Sequence, residues 1–252
     1  MTKVFNSYAA YYDLLYRDKD YKGESEYILK FFEKYNLFEG SILELGSGTG
    51  KHAFHMAHRG FDIQGIDYSE SMVEIANSKN KQENISFEVG DVRTYRAGKV
   101  FDAVISLFHV ASYQSSNLDL QNMFLTAAEH LNPGGLFMFD FWYGPAVLTD
   151  TPTSRTKKMS DNKINVLRTA EPKIKYNENL VDVNYTIEVI EKTSGLKSIF
   201  SEKHSLRFLF LPELKNLLEF AKIEILESHA WMSENGLSKD SWQGLVIAKK
   251  VR

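Results

Sequence analysis

The chain has 252 residues, of which 43% are hydrophobic and 25% charged, and it carries a formal net charge of −3 and no cysteine. A chain of this length can bury enough apolar surface to fold without a metal or a disulfide. The near balance of charge provides no overall attraction to nucleic acid or to an anionic membrane. The absence of cysteine excludes disulfides, thiolate nucleophiles and Cys-ligated zinc. With no apolar signal sequence and no membrane-spanning apolar stretch, the chain is expected to be cytoplasmic.

Residues 41–141 alternate short apolar runs with helical patterns, which predicts a parallel sheet covered by helices on both faces. Ser69 is expected to cap a helix, and Asn132-Pro-Gly-Gly to end another before the next strand. The predicted strands are Ser41–Leu45, Phe61–Ile66, Ile85–Val89, Phe101–Leu107 and Leu136–Phe141, and the predicted helices are Lys51–Arg59, Ser71–Ser78 and Leu118–Leu131.

The second half of the chain has a different pattern. Residues 146–162 are polar and predict an exposed loop or lid, of which the basic cluster Arg155–Lys158 is a solvated part. The later elements predicted are strands Ile164–Thr169, Leu180–Glu191 and Leu196–Phe210, a turn at Lys192–Gly195, a helix Leu211–Phe220, and strands Ile223–Ser228 and Leu245–Lys249. Residues 1–145 and 206–252 are therefore predicted to form one α/β domain, which a β-rich insertion, 146–205, interrupts.

A glycine-rich turn, ELGSGTG at residues 44–50, follows the first strand. A phosphate-binding P-loop does not fit, because Leu45 and His52 stand where its first glycine and its Mg-binding hydroxyl belong. A dinucleotide site fits poorly because Lys51 replaces its third glycine, although Asp67 lies at the spacing of a ribose-binding acid. The remaining pattern is an acidic residue followed by G-x-G-x-G, whose glycines let the backbone approach a ligand closely.

Through this pattern the chain resembles the class I S-adenosylmethionine-dependent methyltransferases. The resemblance implies an α/β fold with a Rossmann-like, seven-stranded, mostly parallel sheet and a small antiparallel β insertion over the active site. It also implies S-adenosyl-L-methionine as cofactor, with Asp67 on the ribose hydroxyls, Asp91 on the adenine amine and backbone contacts from Val92. The cofactor-binding residues that it implies are Tyr12, Glu44, Gly46, Ser47, Gly48, Gly50, Asp67, Tyr68, Met72, Asp91, Val92 and Leu107.

Features along the whole chain narrow the class of molecule that accepts the methyl group. The run Leu107–Val110 lacks the [DN]-P-P-[YF] motif of DNA adenine and protein glutamine methyltransferases. Asp140–Trp142 lacks the ligands of a metal-dependent catechol-type enzyme. A tyrosine-rich start, Tyr8–Tyr16, and an insertion after the fifth strand resemble the nucleotide-linked amino-sugar N-methyltransferases and their small-molecule relatives. That resemblance implies that the start folds over the cofactor, that the insertion roofs the acceptor pocket, and that the acceptor is a small-molecule amine.

The catalytic candidates are His109 and Tyr12, and the candidate substrate residues are Tyr113, Trp142 and Tyr143. A neutral amine needs alignment more than a strong base, so replacing His109 is expected to leave substantial activity. A hydroxyl acceptor would use His109 as a base, and a small-molecule O-methyltransferase is therefore the alternative. A non-catalytic S-adenosylmethionine-binding protein and a dinucleotide oxidoreductase also stay open at this point.

Three histidines, His52, His55 and His58, recur at helical spacing. Without carboxylates at a suitable spacing they are expected to form a solvated face, so no metal site is predicted. No nucleic-acid or membrane partner is expected, and a monomer and a homodimer fit the sequence equally well.

Overall fold

The computed structural model describes residues 14–251. Its first half forms a parallel sheet in the order β3-β2-β1-β4-β5. The strands are β1 (Ser41–Leu45), β2 (Asp62–Asp67), β3 (Ile85–Val89), β4 (Phe101–Ser106) and β5 (Leu131–Tyr143), and the helices are α1 (Tyr21–Lys34), α2 (Lys51–Ala57), α3 (Glu70–Lys79) and α4 (Asn117–Glu129).

After β5 the chain forms a short helix and an antiparallel meander, in which each strand pairs with the next. These elements are α5 (Gly144–Thr149), β6 (Arg155–Ser160), β7 (Ile164–Lys175), β8 (Leu180–Glu191) and β9 (Lys197–Leu209). The end of β9 pairs in parallel with the end of β5, Trp142 opposite Phe208 and Tyr143 opposite Leu209. The meander therefore extends from the carboxyl end of the main sheet.

The last elements return to the main sheet. They are α6 (Leu211–Phe220), β10 (Ile223–Ala230) and β11 (Gln243–Lys250), and β11 lies antiparallel to both β5 and β10. The main sheet thus has seven strands in the order β3-β2-β1-β4-β5-β11-β10. This is the predicted fold class, and the model confirms it. Among residues 14–251, no helix combines the length and the apolar character needed to cross a membrane.

The core lies on both faces of the main sheet. Successive side chains of a strand point to opposite faces, so Phe137 and Phe139 of β5 pack with Phe124 of α4 on one face. On the other face, Met138 packs in a second cluster that includes Phe32 of α1. Because both faces of the sheet are buried, the sequences of its strands are continuous apolar runs.

The prediction of a loop over 146–162 is wrong, because α5 begins at Gly144 and β6 covers Arg155–Ser160. The strand β6 is the edge of the meander, and all but one of its residues are exposed. An edge strand that is wet on both faces carries no apolar alternation, so its sequence is indistinguishable from that of a loop. The run Asn132-Pro-Gly-Gly follows α4, as predicted, but its predicted place before the next strand is wrong, because β5 already begins at Leu131.

Candidate cofactor and acceptor sites

A cavity of about 400 Å³ lies at the carboxyl ends of β1, β2 and β4. Open α/β sheets bind their ligands outside this edge. Several cavity-lining residues were among the predicted site residues: Gly46, Gly48, Asp67, Tyr68, Met72, Asp91, Val92, Leu107, His109, Tyr113 and Trp142.

Asp67 at the end of β2 organises the glycine-rich turn. Its Oδ2 accepts a hydrogen bond from the backbone N–H of Gly48 at 2.9 Å, and its Oδ1 accepts one from Ser69 at 2.8 Å. Burial raises the pKa of Asp67, although the two backbone hydrogen bonds act in the opposite direction. The carboxylate therefore joins the glycine-rich turn to the start of α3, where Ser69 caps the helix as predicted.

The turn leaves room for a ligand at one glycine. Gly48 has φ +54, and a Cβ added there would meet no atom within 4 Å, so its backbone is open. Beside Gly48, the cavity is lined by the carboxylate of Asp67 and by the apolar side chains of Met72 and Leu107. The carboxylate can accept hydrogen bonds from ribose hydroxyls, and the apolar wall can pack against a base. This combination fits a nucleoside such as that of S-adenosylmethionine.

Asp91 is held by Arg93, which was not among the predicted site residues. Arg93 donates from Nε to Oδ1 of Asp91 at 2.9 Å and from Nη2 to Oδ2 at 2.6 Å. A third hydrogen bond runs from Arg93 Nη1 to Asp119 of α4 at 2.9 Å. The hydrogen bonds from Arg93 lower the pKa of Asp91, so its carboxylate is ionised and fixed in orientation at the cavity wall.

Some predicted site residues lie elsewhere. Tyr143 packs against Phe141, 6.2 Å between ring centroids, on the opposite face of β5 from Trp142, because adjacent strand residues alternate. It is therefore not a cavity residue. Glu44, Ser47 and Gly50 lie behind the cavity wall, Glu44 and Ser47 being buried and Gly50 lying against Phe87. Tyr12 falls outside the described residues.

His109 is positioned by a buried carboxylate. Phe108 and His109 both adopt left-handed backbone conformations, with φ of 68° and 67°. The backbone N–H of His109 donates to both oxygens of Asp140 at 3.0 Å. Its ring Nδ1 lies 2.8 Å from Asp140 Oδ2 but outside hydrogen-bond geometry, so the carboxylate holds the residue mainly through the backbone. Asp140 is fully buried and also accepts a hydrogen bond from Gln243 of β11 at 2.6 Å. Left-handed backbone is costly for bulky residues, and here the buried acceptor holds it in place.

A second cavity, of about 570 Å³, adjoins the first. The two share His109, Trp142 and Tyr185 as walls. The outer part of the second cavity contains three cations and one carboxylate, contributed by the meander and by the segment before it: Arg155, Lys157, Arg168 and Asp150.

The cluster Arg155–Lys158 is exposed, as expected, but it lies on strand β6 and is not a loop. Arg155 and Lys157 lie on β6 and line the second cavity. Arg168 of β7 donates a hydrogen bond to the Tyr16 hydroxyl at 3.1 Å and stacks 4.9 Å from the ring centroid of Tyr185. Burial raises the pKa of Tyr185 to about 12, so this phenol is neutral at neutral pH.

Tyr113 connects the first cavity to the meander. Its hydroxyl lies 2.8 Å from Nδ1 of His204 on β9, and His204 Nε2 lies 3.3 Å from Glu202. Burial raises the pKa of Tyr113 well above its usual value, so its hydroxyl is protonated. His204 and Glu202 are also buried. Nothing in the local sequence pattern of β9 indicates this contact.

The expectation of a solvated histidine face is wrong for His52. His52 is 5% exposed, and its ring nitrogens face Glu24 and Glu44. Among residues 14–251, no group of three or more His, Cys, Asp or Glu residues is arranged to hold a metal ion.

Comparison with known proteins agrees with this geometry. Residues 42–135 match the family model of a methyltransferase domain. The chain is 28% identical over 224 residues to the dTDP-3-amino-3,4,6-trideoxy-alpha-D-glucopyranose N,N-dimethyltransferase of Streptomyces venezuelae, a match that covers 87% of this chain and 92% of that protein.

Two solved structures are similar over nearly the whole fold. One is an S-adenosylmethionine-dependent methyltransferase from Clostridium acetobutylicum, with a TM-score of 0.81, 21% identity, and coverage of 98% of this chain and 99% of that one. The other is the amino pentose methyltransferase CalS10 of Micromonospora echinaspora, solved with S-adenosylmethionine bound, with a TM-score of 0.78, 20% identity and 98% coverage of both chains.

Proposed function

We propose that this chain, an S-adenosylmethionine-dependent methyltransferase by its domain and its fold, methylates the amino group of a nucleotide-linked amino sugar. The observation that carries the proposal is the second, cationic cavity, which adjoins the cofactor cavity and shares His109, Trp142 and Tyr185 with it as walls. A group-transfer enzyme needs such a junction, because both reactants must meet within contact distance.

The charge of the second cavity supports an anionic acceptor. The cavity is lined by three cationic side chains and one carboxylate, which gives it a net positive charge. Arg155 forms no ion pair with any residue from 14 to 251. Arginine and lysine are the side chains that bind phosphate oxygens, arginine through paired N–H donors. A sugar linked to a nucleoside diphosphate would place its diphosphate at these side chains and its amine toward the junction.

A pair of tryptophans suits the remainder of such a molecule. Trp142 and Trp242 lie edge to face with ring centroids 5.4 Å apart, and Trp242 is held by a hydrogen bond to Asp150 at 3.2 Å. Both tryptophans line the second cavity. Their faces can stack on a sugar or a base and favour a cationic amine. We further propose that the meander β6–β9, which covers most of the insertion 146–205 and ends at Leu209, is the roof of the acceptor site.

The reaction is a displacement. The bound cofactor supplies a methyl group activated by a sulfonium, and the amine lone pair forms the new N–C bond as the S–C bond breaks. Trp142, a wall of both cavities, and Tyr113, a wall of the cofactor cavity, orient the amine. His109, held by Asp140, is placed to accept the proton that the methylated ammonium releases. Alignment supplies most of the acceleration for such an acceptor.

The test is a panel of three acceptors followed by mass spectrometry of the products. A dTDP-linked amino sugar is compared with the same amino sugar without its nucleotide and with a dTDP-sugar that has a hydroxyl in place of the amine. We expect one or two methyl groups to be added to the first acceptor, far slower addition to the second and none to the third. Transfer to the hydroxyl sugar at the rate of the amine would contradict N-methylation.

A second candidate, small-molecule O-methylation, is favoured by one observation, the buried Asp140 behind His109. A carboxylate that orients an imidazole is the arrangement used to activate hydroxyl nucleophiles. The same panel separates the two candidates.

The compartment that we propose is the cytoplasm, since the chain has no cysteine and hence no disulfide.

A further inference from the structure

Four groups of alternating charge form a row beneath the glycine-rich turn. They are Lys19, Glu24 of α1, His52 of α2 and Glu44 of β1. His52 Nε2 lies 2.8 Å from Glu24 Oε2, and His52 Nδ1 lies 3.6 Å from Glu44 Oε1. Glu24, Glu44 and His52 are 7%, 1% and 5% exposed. A buried row of this kind is balanced only when His52 carries a proton on each ring nitrogen.

The pKa values agree with that geometry. Burial by itself would lower the pKa of His52, yet the hydrogen bonds and charges of Glu24 and Glu44 outweigh it and raise the pKa. Burial works against ionisation of Glu24 as well, but His52 and Lys19 lower its pKa. The other titratable side chains near the ring are Tyr21, whose ring is 5.0 Å away, Lys51, whose ammonium lies over Tyr21, and His55.

The row connects the segment before α1 to two walls of the cofactor cavity. At one end, the Lys19 ammonium lies 4.5 Å from the ring centroid of Phe108, and Tyr16 packs edge-on to Phe108 at 5.0 Å. Both rings line the cavity. At the other end, Glu44 directly precedes the glycine-rich turn, and its Oε2 is buried with no hydrogen-bond partner among the described residues.

We propose that the imidazolium of His52 is a positioning residue for the cofactor, which joins the segment 14–20 to the glycine-rich turn by holding Glu24 and Glu44 on its two ring nitrogens. In this arrangement Glu44 holds the start of the glycine-rich turn from behind the cavity wall, while Lys19, paired with Glu24, lies against Phe108 of that wall. The inference concerns the cofactor alone and is independent of the acceptor proposed above.

The test is calorimetric titration with S-adenosylhomocysteine at several pH values between about 6 and 8. In the wild type we expect the Kd to be constant over this range, because His52 remains protonated. His52→Gln leaves two buried carboxylates against Lys19. One carboxylate then takes up a proton, so the Kd rises about tenfold or more near pH 6 and falls again toward pH 8.

A charge-restoring variant separates electrostatics from packing. Glu24→Gln combined with His52→Gln leaves one carboxylate for the one cation, and it is expected to bind more tightly than His52→Gln alone. His58→Gln, at the exposed end of the same helix, is the control and should bind like the wild type. A double variant no better than the single one, or a single variant without the pH dependence, would overturn the proposal.

A measurement on the unaltered protein covers the case in which the variants do not fold. Nitrogen-15 NMR of the wild type reports directly whether the two ring nitrogens of His52 carry hydrogens. We expect both to be protonated at pH 7, because Glu24 and Glu44 raise the pKa of His52 above its usual value. A neutral His52 ring at pH 7 would refute the proposal.

Discussion

Replacing His109 with asparagine distinguishes an amine acceptor from a hydroxyl acceptor. Asparagine is chosen because His109 has φ 67°, a left-handed conformation in which asparagine is enriched. Asp140 would keep its hydrogen bonds from the backbone N–H of residue 109 and from Gln243. Because the buried carboxylate stays satisfied, the loss of stability should be below about 1.5 kcal/mol.

The size of the kinetic effect depends on the acceptor. For an amine, the alignment by Trp142 and Tyr113 is retained, and kcat/KM should fall less than about tenfold, or about 1.4 kcal/mol. For a hydroxyl, loss of a general base costs about 10²-fold to 10⁴-fold. The assay is initial-rate methyl transfer to a dTDP-linked amino sugar, with calorimetric binding of S-adenosylhomocysteine as the control for the cofactor site. A loss of a hundredfold or more with unchanged cofactor binding would refute the amine mechanism.

Three further predictions test the acceptor cavity, the glycine-rich turn and the pH dependence of stability. Arg155→Gln is expected to raise KM for a dTDP-linked acceptor about tenfold while the Kd for S-adenosylhomocysteine stays constant; an equal rise in KM for the free amino sugar would contradict a diphosphate site. Gly48→Ala adds a Cβ with no neighbour within 4 Å but at φ +54, a left-handed conformation that costs alanine about 1–2 kcal/mol, so both the Tm and cofactor binding should fall. Gly46→Ala, at φ +81 and with its Cβ 2.5 Å from Val110, should lower the Tm further; differential scanning fluorimetry and calorimetry measure the two effects. Hydrogen bonds from Lys34 and Tyr35 lower the pKa of Glu227 from 4.5 to about 2, so its contribution to stability is present above pH 4.5 and lost as the pH falls toward 2. Urea unfolding should therefore show Glu227→Gln to be less stable by about 1 kcal/mol at pH 7 and equal to the wild type near pH 2.

The parallel strands were predictable because they are buried on both faces. β1 and β3 have the predicted bounds, Ser41–Leu45 and Ile85–Val89, and the glycine-rich turn follows β1 as expected. In these elements the local apolar run and the final environment agree. The edge strand β6 could not be predicted, because its environment is water and its sequence is that of a solvated loop.

The polar contacts of the site could not be predicted from the sequence, because the two residues of each contact are distant in the chain. Asp140 lies within an aromatic run that indicates only a buried strand, and its partner His109 is 31 residues away. His52 has the spacing of a surface helix, but its partner Glu24 is 28 residues away on another helix. Periodicity reports which face of an element is apolar, and it carries no information about which charged groups a fold brings together.

The most direct test of the cofactor site is calorimetric titration of the wild type and of Asp67→Ala with S-adenosylhomocysteine, with NAD as the control ligand. We expect a Kd on the order of micromolar for S-adenosylhomocysteine and no binding of NAD. Asp67→Ala loses the carboxylate that holds Gly48, so its Kd should rise about tenfold or more. Tight binding of NAD without binding of S-adenosylhomocysteine, or equal affinity of the variant and the wild type, would contradict the assignment of this cavity.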